Sequence, residues 1–170
     1  MTASDSTGAV SDRLRELGID LPGVAAPVAA YVPAVRVGDL VYTSGQLPFV
    51  DGELTAVGKV KDASAPDQSD SAGSVNPNDA KAAARVAALN ALAAVDDLVG
   101  IDNVARIIKV TGFVASAPGF NGQPGVINGA SELFGEIFGD AGQHARSAVG
   151  VNELPLNTPV EVEIIVQVAS

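Results

Sequence analysis

Arg146 is the residue whose type and setting point most directly to chemistry in this chain. It lies in a run of small and β-branched residues, 144–151, that predicts a β-strand. An arginine in such a run belongs either to an exposed strand face or to a pocket where its planar guanidinium binds a carboxylate. A second predicted strand, 159–168, carries Glu161 and Glu163. Two strands therefore offer one arginine and two carboxylates.

The second interpretation of Arg146 is a solvated or ion-paired side chain, which is the commoner state of an arginine on a strand. Glu161 or Glu163 would then be its partner. The only histidine, His144, is expected near the surface at the start of the same strand. One histidine without cysteines does not make a metal-ligand set, so we expect no metal and no cofactor.

Charge and cysteine content exclude several classes of function. The sequence contains ten Lys and Arg and twenty Asp and Glu. The formal net charge of −10 argues against a nucleic-acid partner, because like charges repel. The absence of cysteine removes disulfides, thiolate zinc sites and a cysteine nucleophile. A site in this chain must therefore use hydroxyls, amides, carboxylates, arginine or water.

Length and hydropathy predict one cytoplasmic domain. The 170 residues suffice for a single sizeable core, and no shift of composition divides them. The N-terminus is polar and acidic, unlike a signal peptide, and no apolar stretch reaches 18 residues without a polar residue. We therefore expect no membrane partner.

The hydrophobic pattern predicts two strands, a long helix, a strand, a second helix and two final strands. A short amphipathic helix, 10–18, precedes them and ends at Gly18. The predicted bounds of the main elements are strands 31–37 and 40–44, a loop from 52 to 77, a helix from Asn78 or Asp79 to Val99, a strand 104–114, a helix 125–138, and strands 144–151 and 159–168.

Two helices cover only one face of such a sheet, so the other face must be solvated, closed into a barrel or buried by another subunit. The last strand should place alternate residues, from Val160 to Val168, under the helices. The intervening residues Glu161, Glu163, Ile165 and Gln167 would then lie on the second face. A face with carboxylates, apolar groups and Arg146 is typical of a subunit interface that contains a ligand pocket. We expect Arg146 and Glu161 to share this face.

Four stretches resemble the RidA family, also called YjgF/YER057c/UK114. They are Tyr31-Val32, the segment Thr43-Ser44-Gly45-Gln46-Leu47-Pro48, Asn128, and Ala145-Arg146-Ser147 followed by Glu161. The resemblance covers roughly residues 27 to 169 apart from the long loop. It implies an α+β, chorismate-mutase-like fold of the bacillus type, with two helices packed on one face of the β-sheet. It also implies a homotrimeric barrel with clefts between neighbouring subunits.

Relative to short family members, two segments of this chain are extra. Residues 1–26 would form an N-terminal extension with the short helix, and 27–170 would form a single RidA-like domain. Within that domain, 56–77 would be an inserted loop. The chain therefore looks like a longer branch of the family.

The resemblance also implies roles for individual residues. Arg146 would bind the carboxylate of an imine or enamine derived from an amino acid, and Glu161 would position or activate the water that attacks it. The residues that would shape the pocket are Tyr31, Ser44, Gly45 and Asn128. Two positions depart from the family pattern: Ala148 stands where cysteine is frequent, and Ser131 stands where an aromatic residue is frequent. Both changes enlarge or depolarise the pocket.

The implied function is an enamine/imine deaminase of the 2-iminobutanoate or 2-iminopropanoate type. It would hydrolyse reactive 2-aminoacrylate-type intermediates to 2-keto acids and ammonia. A non-catalytic trimer that binds small carboxylate metabolites is the alternative, favoured by the altered pocket at Ala148 and Ser131. Ribonuclease activity, sometimes attributed to such proteins, fits poorly with the acidic charge and the absence of a histidine pair.

Overall fold

The fold is described from a computed structural model, which covers residues 9–24, 30–62 and 73–169. The predicted boundary between residues 26 and 27 and the centre of the predicted loop, 63–72, lie outside the described residues. The helices and strands, in chain order, are α1 Val10–Glu16, β1 Ala34–Val37, β2 Leu40–Thr43, β3 Phe49–Val50, β4 Glu53–Leu54, β5 Lys59–Val60, β6 Ser74–Val75, α2 Pro77–Val99, β7 Val104–Ala115, α3 Gln123–Phe138, β8 Ala145–Val151 and β9 Val160–Val168.

Five strands form the main sheet in the order β1-β2-β9-β7-β8. All neighbours are antiparallel except β7 and β8, which are parallel and are joined through α3. A parallel pair requires a crossover, and a helix is the usual one. The predicted order of the main elements is confirmed. The short pairs β3-β4 and β5-β6 were not predicted, because two-residue strands carry no readable alternation.

The long helix α2 begins one turn earlier than predicted. Its N-cap is Asn76, whose side chain accepts a hydrogen bond of 2.9 Å from the backbone N–H of Asp79. Pro77 occupies the first turn, where its missing N–H costs nothing. The prediction of Asn78 or Asp79 as the cap is therefore wrong. The helix ends at Gly100, whose φ of 78° favours glycine.

Both long helices pack on one face of the sheet. The predicted alternation of β9 is confirmed: Val160, Val162, Ile164, Val166 and Val168 are buried, whereas Glu161, Glu163, Ile165 and Gln167 are only partly buried. On the face without helices, Val35 and Tyr42 remain exposed. We call this second surface the open face. No helix in the described residues is both long enough and apolar enough to cross a membrane.

Small residues allow the two helices to lie very close together. Most of the buried positions of α2 are alanine, and Gly129 of α3 lies against the carbonyl oxygen of Lys81 of α2. A methyl group at Gly129 would overlap that oxygen. Gly135 lies on the same helix, but no atom of another part of the chain comes within 4 Å of the place its Cβ would take.

These two glycines form a matched pair for a stability measurement. Gly129→Ala should lower the free energy of unfolding by about 1–3 kcal/mol, since the helices must separate to admit the methyl group. Gly135→Ala should raise it by about 0.5–1 kcal/mol, because alanine is the better helix former. Urea unfolding followed by circular dichroism at equal protein concentrations measures both changes. Equal stability of the two variants would contradict the close helix contact.

Candidate active site

The side chain of Arg146 points from β8 to the helix α3. Its Nη1 donates to Asn128 Oδ1 at 2.8 Å and to Ser131 Oγ at 3.2 Å. Asn128 and Ser131 are one turn apart on α3 and therefore share one side of that helix. All three side chains are partly buried. The helix thus holds one nitrogen of the guanidinium in a fixed direction.

This arrangement leaves the other edge of the guanidinium available. No group in the described part of the chain is seen to accept a hydrogen bond from Nε or Nη2 of Arg146. These two nitrogens point the same way and match the two oxygens of a carboxylate. This edge of Arg146 can therefore donate two parallel hydrogen bonds. The alternative interpretation of Arg146 was an ion pair with a glutamate of the same chain. No such ion pair is seen in the described residues.

His144 belongs to the same group of side chains. Its Nδ1 lies 2.6 Å from the carbonyl oxygen of Gly142, and its Nε2 lies 2.9 Å from Ser131 Oγ. The ring also meets Phe134 edge to face, with 5.9 Å between ring centroids. His144 stands directly before β8, as expected, and it is partly buried against α3. We call Asn128, Ser131, His144 and Arg146 the arginine cluster.

Ala148 follows Arg146 on the same face of β8. It lies opposite Gly112 of β7 and packs against the edge of the hydrophobic core. Its methyl group offers no hydrogen bond and occupies little space. The polar groups beside Arg146 therefore come from α3 and from His144.

Glu161 lies in a second group at the start of β9. Its carboxylate rests against the backbone of Gly45, where a Cβ atom would overlap it. Gln46 and Val162 exchange backbone hydrogen bonds of 2.8 and 3.0 Å, which hold the segment after β2 beside β9. A side chain at position 45 would displace the carboxylate of Glu161.

Ser44 adjoins this second group. Ser44 Oγ donates to the carbonyl oxygen of Val32 at 2.7 Å, which ties the segment before β1 to the end of β2. Tyr31 precedes Val32 and is 48% exposed. We call Ser44, Gly45 and Glu161 the glutamate cluster.

The pKa of Glu161 is raised above its usual range. Burial is the main cause, because it disfavours the ionised carboxylate, and the nearby charge of Glu163 adds to the effect. A carboxylate with a raised pKa is a stronger base than an ordinary surface glutamate.

The arginine and glutamate clusters lie apart in one chain. Arg146 of β8 pairs with Val110 of β7, and Val110 pairs in turn with Ile164 of β9. Glu161 of β9 pairs with Phe113 of β7. With β7 between them and three residues of stagger, their Cα atoms are about 14 Å apart. Their side chains emerge on opposite faces, because Ile164 lies under the helices and Glu161 does not. The prediction of a shared face is wrong.

Lys109 is a polar residue of the open face that the sequence did not single out. Its Nζ donates to Ser147 Oγ at 2.9 Å. It lines a cavity of about 90 Å³ together with Tyr42, Thr111 and Glu163. A lysine inside a β-branched run gave no signal by which to find it.

Metal ligands do not gather in either cluster. Within residues 9–24, 30–62 and 73–169, no three His, Asp or Glu side chains lie close enough to hold a metal ion. Both ring nitrogens of His144 already face protein atoms. What the clusters present is a cation, amides, hydroxyls, an imidazole and carboxylates.

A five-stranded sheet with two helices on one face agrees with the class of protein that comparison with known proteins identifies. A family model described as "YjgF/chorismate mutase-like, putative endoribonuclease" matches residues 11–168. The chain therefore belongs to the YjgF family, which is the RidA family that its motifs resemble, and it has the chorismate-mutase-like fold.

Individual relatives span nearly the whole chain. Protein TCP17 of Trypanosoma cruzi is 38% identical over 164 residues, which are 95% of this chain and 96% of that protein. The structure of Atu1372 from Agrobacterium tumefaciens, a protein of unknown function, is 40% identical with a TM-score of 0.80, covering 94% of this chain and 92% of that one. The structure of TdcF from E. coli with bound serine is 27% identical with a TM-score of 0.55, covering 88% and 93%.

Replacement of Glu163 tests the electrostatics of the glutamate cluster. Glu163→Gln removes the like charge that helps to raise the pKa of Glu161, so this pKa should fall, while burial keeps it above its usual range. NMR titration of ¹³C-labelled glutamate carboxyls measures it. Glu132→Gln, on the far side of α3, is the control and should leave it unchanged. A pKa that does not fall in Glu163→Gln would show that the two carboxylates do not interact.

Proposed function

We propose that this chain is an enamine and imine deaminase. Its substrates are intermediates of the 2-aminoacrylate, 2-iminopropanoate and 2-iminobutanoate type, which it hydrolyses to 2-keto acids and ammonia. The observation that carries the proposal is the arrangement of the Arg146 guanidinium. Asn128 and Ser131 hold its Nη1, whereas no protein acceptor in the described residues faces the edge formed by Nε and Nη2. Such an edge selects a carboxylate.

A structural relative supports a small carboxylate ligand. TdcF was solved with bound serine, which carries an α-carboxylate and an amino group on the adjacent carbon. An imine or enamine of an amino acid has the same arrangement of carboxylate and nitrogen. Arg146 would bind the carboxylate and leave the carbon that bears nitrogen open to attack by water.

The hydrolysis needs a proton acceptor rather than a nucleophilic side chain. Enamines and imines already react with water, so an oriented substrate and a base suffice. Glu161, with its raised pKa, would position or activate the attacking water. Tyr31, Ser44, Gly45, Asn128 and Ala148 would line the pocket around the substrate.

One chain cannot supply both halves of this site. Arg146 and Glu161 leave opposite faces of the sheet, about 14 Å apart at their Cα atoms. We therefore infer a homotrimer in which the arginine cluster of one copy faces the glutamate cluster of the next. The exposed apolar side chains of the open face, such as Val35 and Tyr42, would be covered in this assembly.

RNA fits this chain less well as a substrate, although the family description names an endoribonuclease. The net charge of −10 repels a polyphosphate. A single histidine also leaves no pair to act as general acid and general base. Charge and composition thus favour a small anion that one arginine can bind.

Substitution of Arg146 tests the substrate class. With freshly generated 2-iminobutanoate, keto-acid release by the wild type should exceed the spontaneous rate. Arg146→Ala and Arg146→Lys should lower kcat/KM by about 30-fold or more, because neither retains the fork that binds a carboxylate. Arg15→Ala, an exposed arginine of α1, is the control.

Two results would contradict the deaminase. One is keto-acid release no faster than the spontaneous reaction. The other is full activity in Arg146→Ala. Saturable binding of a small carboxylate without turnover, measured by calorimetry, would instead support the non-catalytic binder.

Mixing two inactive variants tests whether the site joins two copies. Arg146→Ala and Glu161→Gln each lack one half of the site, so each alone should be inactive. In randomly mixed oligomers, about one cleft in four regains both native residues, and about a quarter of the wild-type activity should return. Co-refolding at equal amounts followed by the keto-acid assay measures this. No recovery in oligomers shown to be mixed would contradict a shared site.

A further inference from the structure

A chain of hydrogen bonds runs from the backbone to Arg146. The carbonyl oxygen of Gly142 meets His144 Nδ1 at 2.6 Å, His144 Nε2 meets Ser131 Oγ at 2.9 Å, and Ser131 Oγ meets Arg146 Nη1 at 3.2 Å. The family resemblance assigned no role to Ser131 or His144, which both belong to the arginine cluster. Ser131 itself replaces an aromatic residue frequent in the family.

The partners determine where the protons lie. A carbonyl oxygen only accepts hydrogen bonds, so Nδ1 of His144 must carry the ring proton and donate to Gly142. In the neutral ring Nε2 is then an acceptor, and the hydroxyl of Ser131 donates to it. Arg146 has only donors, so Ser131 Oγ accepts from its Nη1.

Ser131 retains capacity for one more hydrogen bond. A hydroxyl has one proton and two lone pairs. Its proton is directed to His144 and one lone pair to Arg146, which leaves the second lone pair for a water molecule. A water there would lie beside Nη1 of Arg146. A serine backed by a histidine with a fixed tautomer is the arrangement by which a base acts through a hydroxyl.

We propose that Ser131 transfers a proton from the attacking water to His144, which makes Ser131 a catalytic residue of this site and His144 its positioning residue. The inference rests on the proposed deaminase function and assigns the proton released in the attack to Ser131 and His144, while Glu161 positions the water. Glu161 reaches the cleft from another copy, whereas Ser131 and His144 belong to the same copy as Arg146. A bound carboxylate offsets the charge of Arg146, which otherwise opposes a second positive charge on His144.

The reaction balances without a further reactant. The oxygen of water bonds to the iminium carbon, and the electrons of the carbon–nitrogen π bond move to nitrogen. One water proton passes to Ser131 Oγ as the Ser131 proton passes to His144 Nε2, which produces a carbinolamine and an imidazolium. The imidazolium then returns its proton by the same path to the amine. The carbon–nitrogen bond breaks, the carbonyl forms, and the hydroxyl proton leaves with ammonia as ammonium.

Variants of the two residues separate proton transfer from a structural role. His144→Ala and Ser131→Ala should lower kcat by about 100-fold, as expected for loss of general base catalysis, with much smaller changes in KM. Ser131→Thr retains the hydroxyl and should keep most of the activity. Added imidazole should restore activity to His144→Ala but not to Ser131→Ala. Gln143→Ala, the exposed neighbour of His144, is the control.

NMR tests the hydrogen-bond chain without depending on turnover. His144 is the only histidine, so ¹⁵N-histidine labelling of tag-free protein reports on this ring alone. We expect a neutral ring with the proton on Nδ1, and we expect the Nε2 signal to shift in Ser131→Ala. A proton on Nε2 in the wild type would overturn the proposal.

The outcomes distinguish this proposal from the deaminase function. Wild-type turnover with unchanged kcat in His144→Ala would overturn the role of Ser131 and His144 and leave the deaminase intact. Loss of kcat without rescue by imidazole, in a variant that keeps its circular dichroism spectrum, would assign His144 a structural role and also overturn the proposal. Absence of turnover by the wild type would contradict the deaminase, and the proton-transfer role in that reaction would fall with it.

Discussion

The close docking of α3 against the sheet and against α2 is the constraint on which the site depends. Two glycines permit it, since a Cβ atom would overlap Lys81 of α2 at Gly129 and Ile127 of α3 at Gly112. Gly142 likewise lets the segment after α3 lie against Phe134. These contacts leave α3 little freedom to slide or rotate. Asn128 and Ser131 are therefore presented to Arg146 by packing that lies outside the polar cluster itself. A site held on rigid elements in this way fixes the direction of the guanidinium before any ligand binds.

Strand alternation divides the chemistry between the two faces of the sheet. Arg146 is on the helix side and Glu161 is on the open face, so cation and base cannot meet within one copy. Both the incomplete cluster and the apolar side chains exposed on the open face favour contact with a neighbouring copy. These two features support the proposed oligomer, whereas the number of three copies comes from the family resemblance.

One departure from the family pattern, Ser131, makes a contact that the sequence did not indicate. Ser131 and His144 are far enough apart in the chain to look unrelated, yet their side chains hydrogen-bond beside Arg146. An aromatic residue at position 131 would leave Nε2 of His144 without this partner. Ala148, the other departure, keeps the neighbouring wall apolar and small. The pocket of this chain is therefore more polar on its α3 side than the sequence comparison implied.

The sequence by itself determined the order of the main elements, the buried face of β9 and the family. Valine and isoleucine at alternate positions of β9 leave only one way to bury that strand, and the motifs around Tyr31, Ser44, Asn128 and Arg146 stand in the family's order. Only the tertiary structure decided the face of Arg146, because β8 carries small or apolar residues at both alternations and its pattern selects neither side. The contact of Ser131 with His144 likewise depends on how α3 packs against β8, and residue spacing along the chain does not encode that distance.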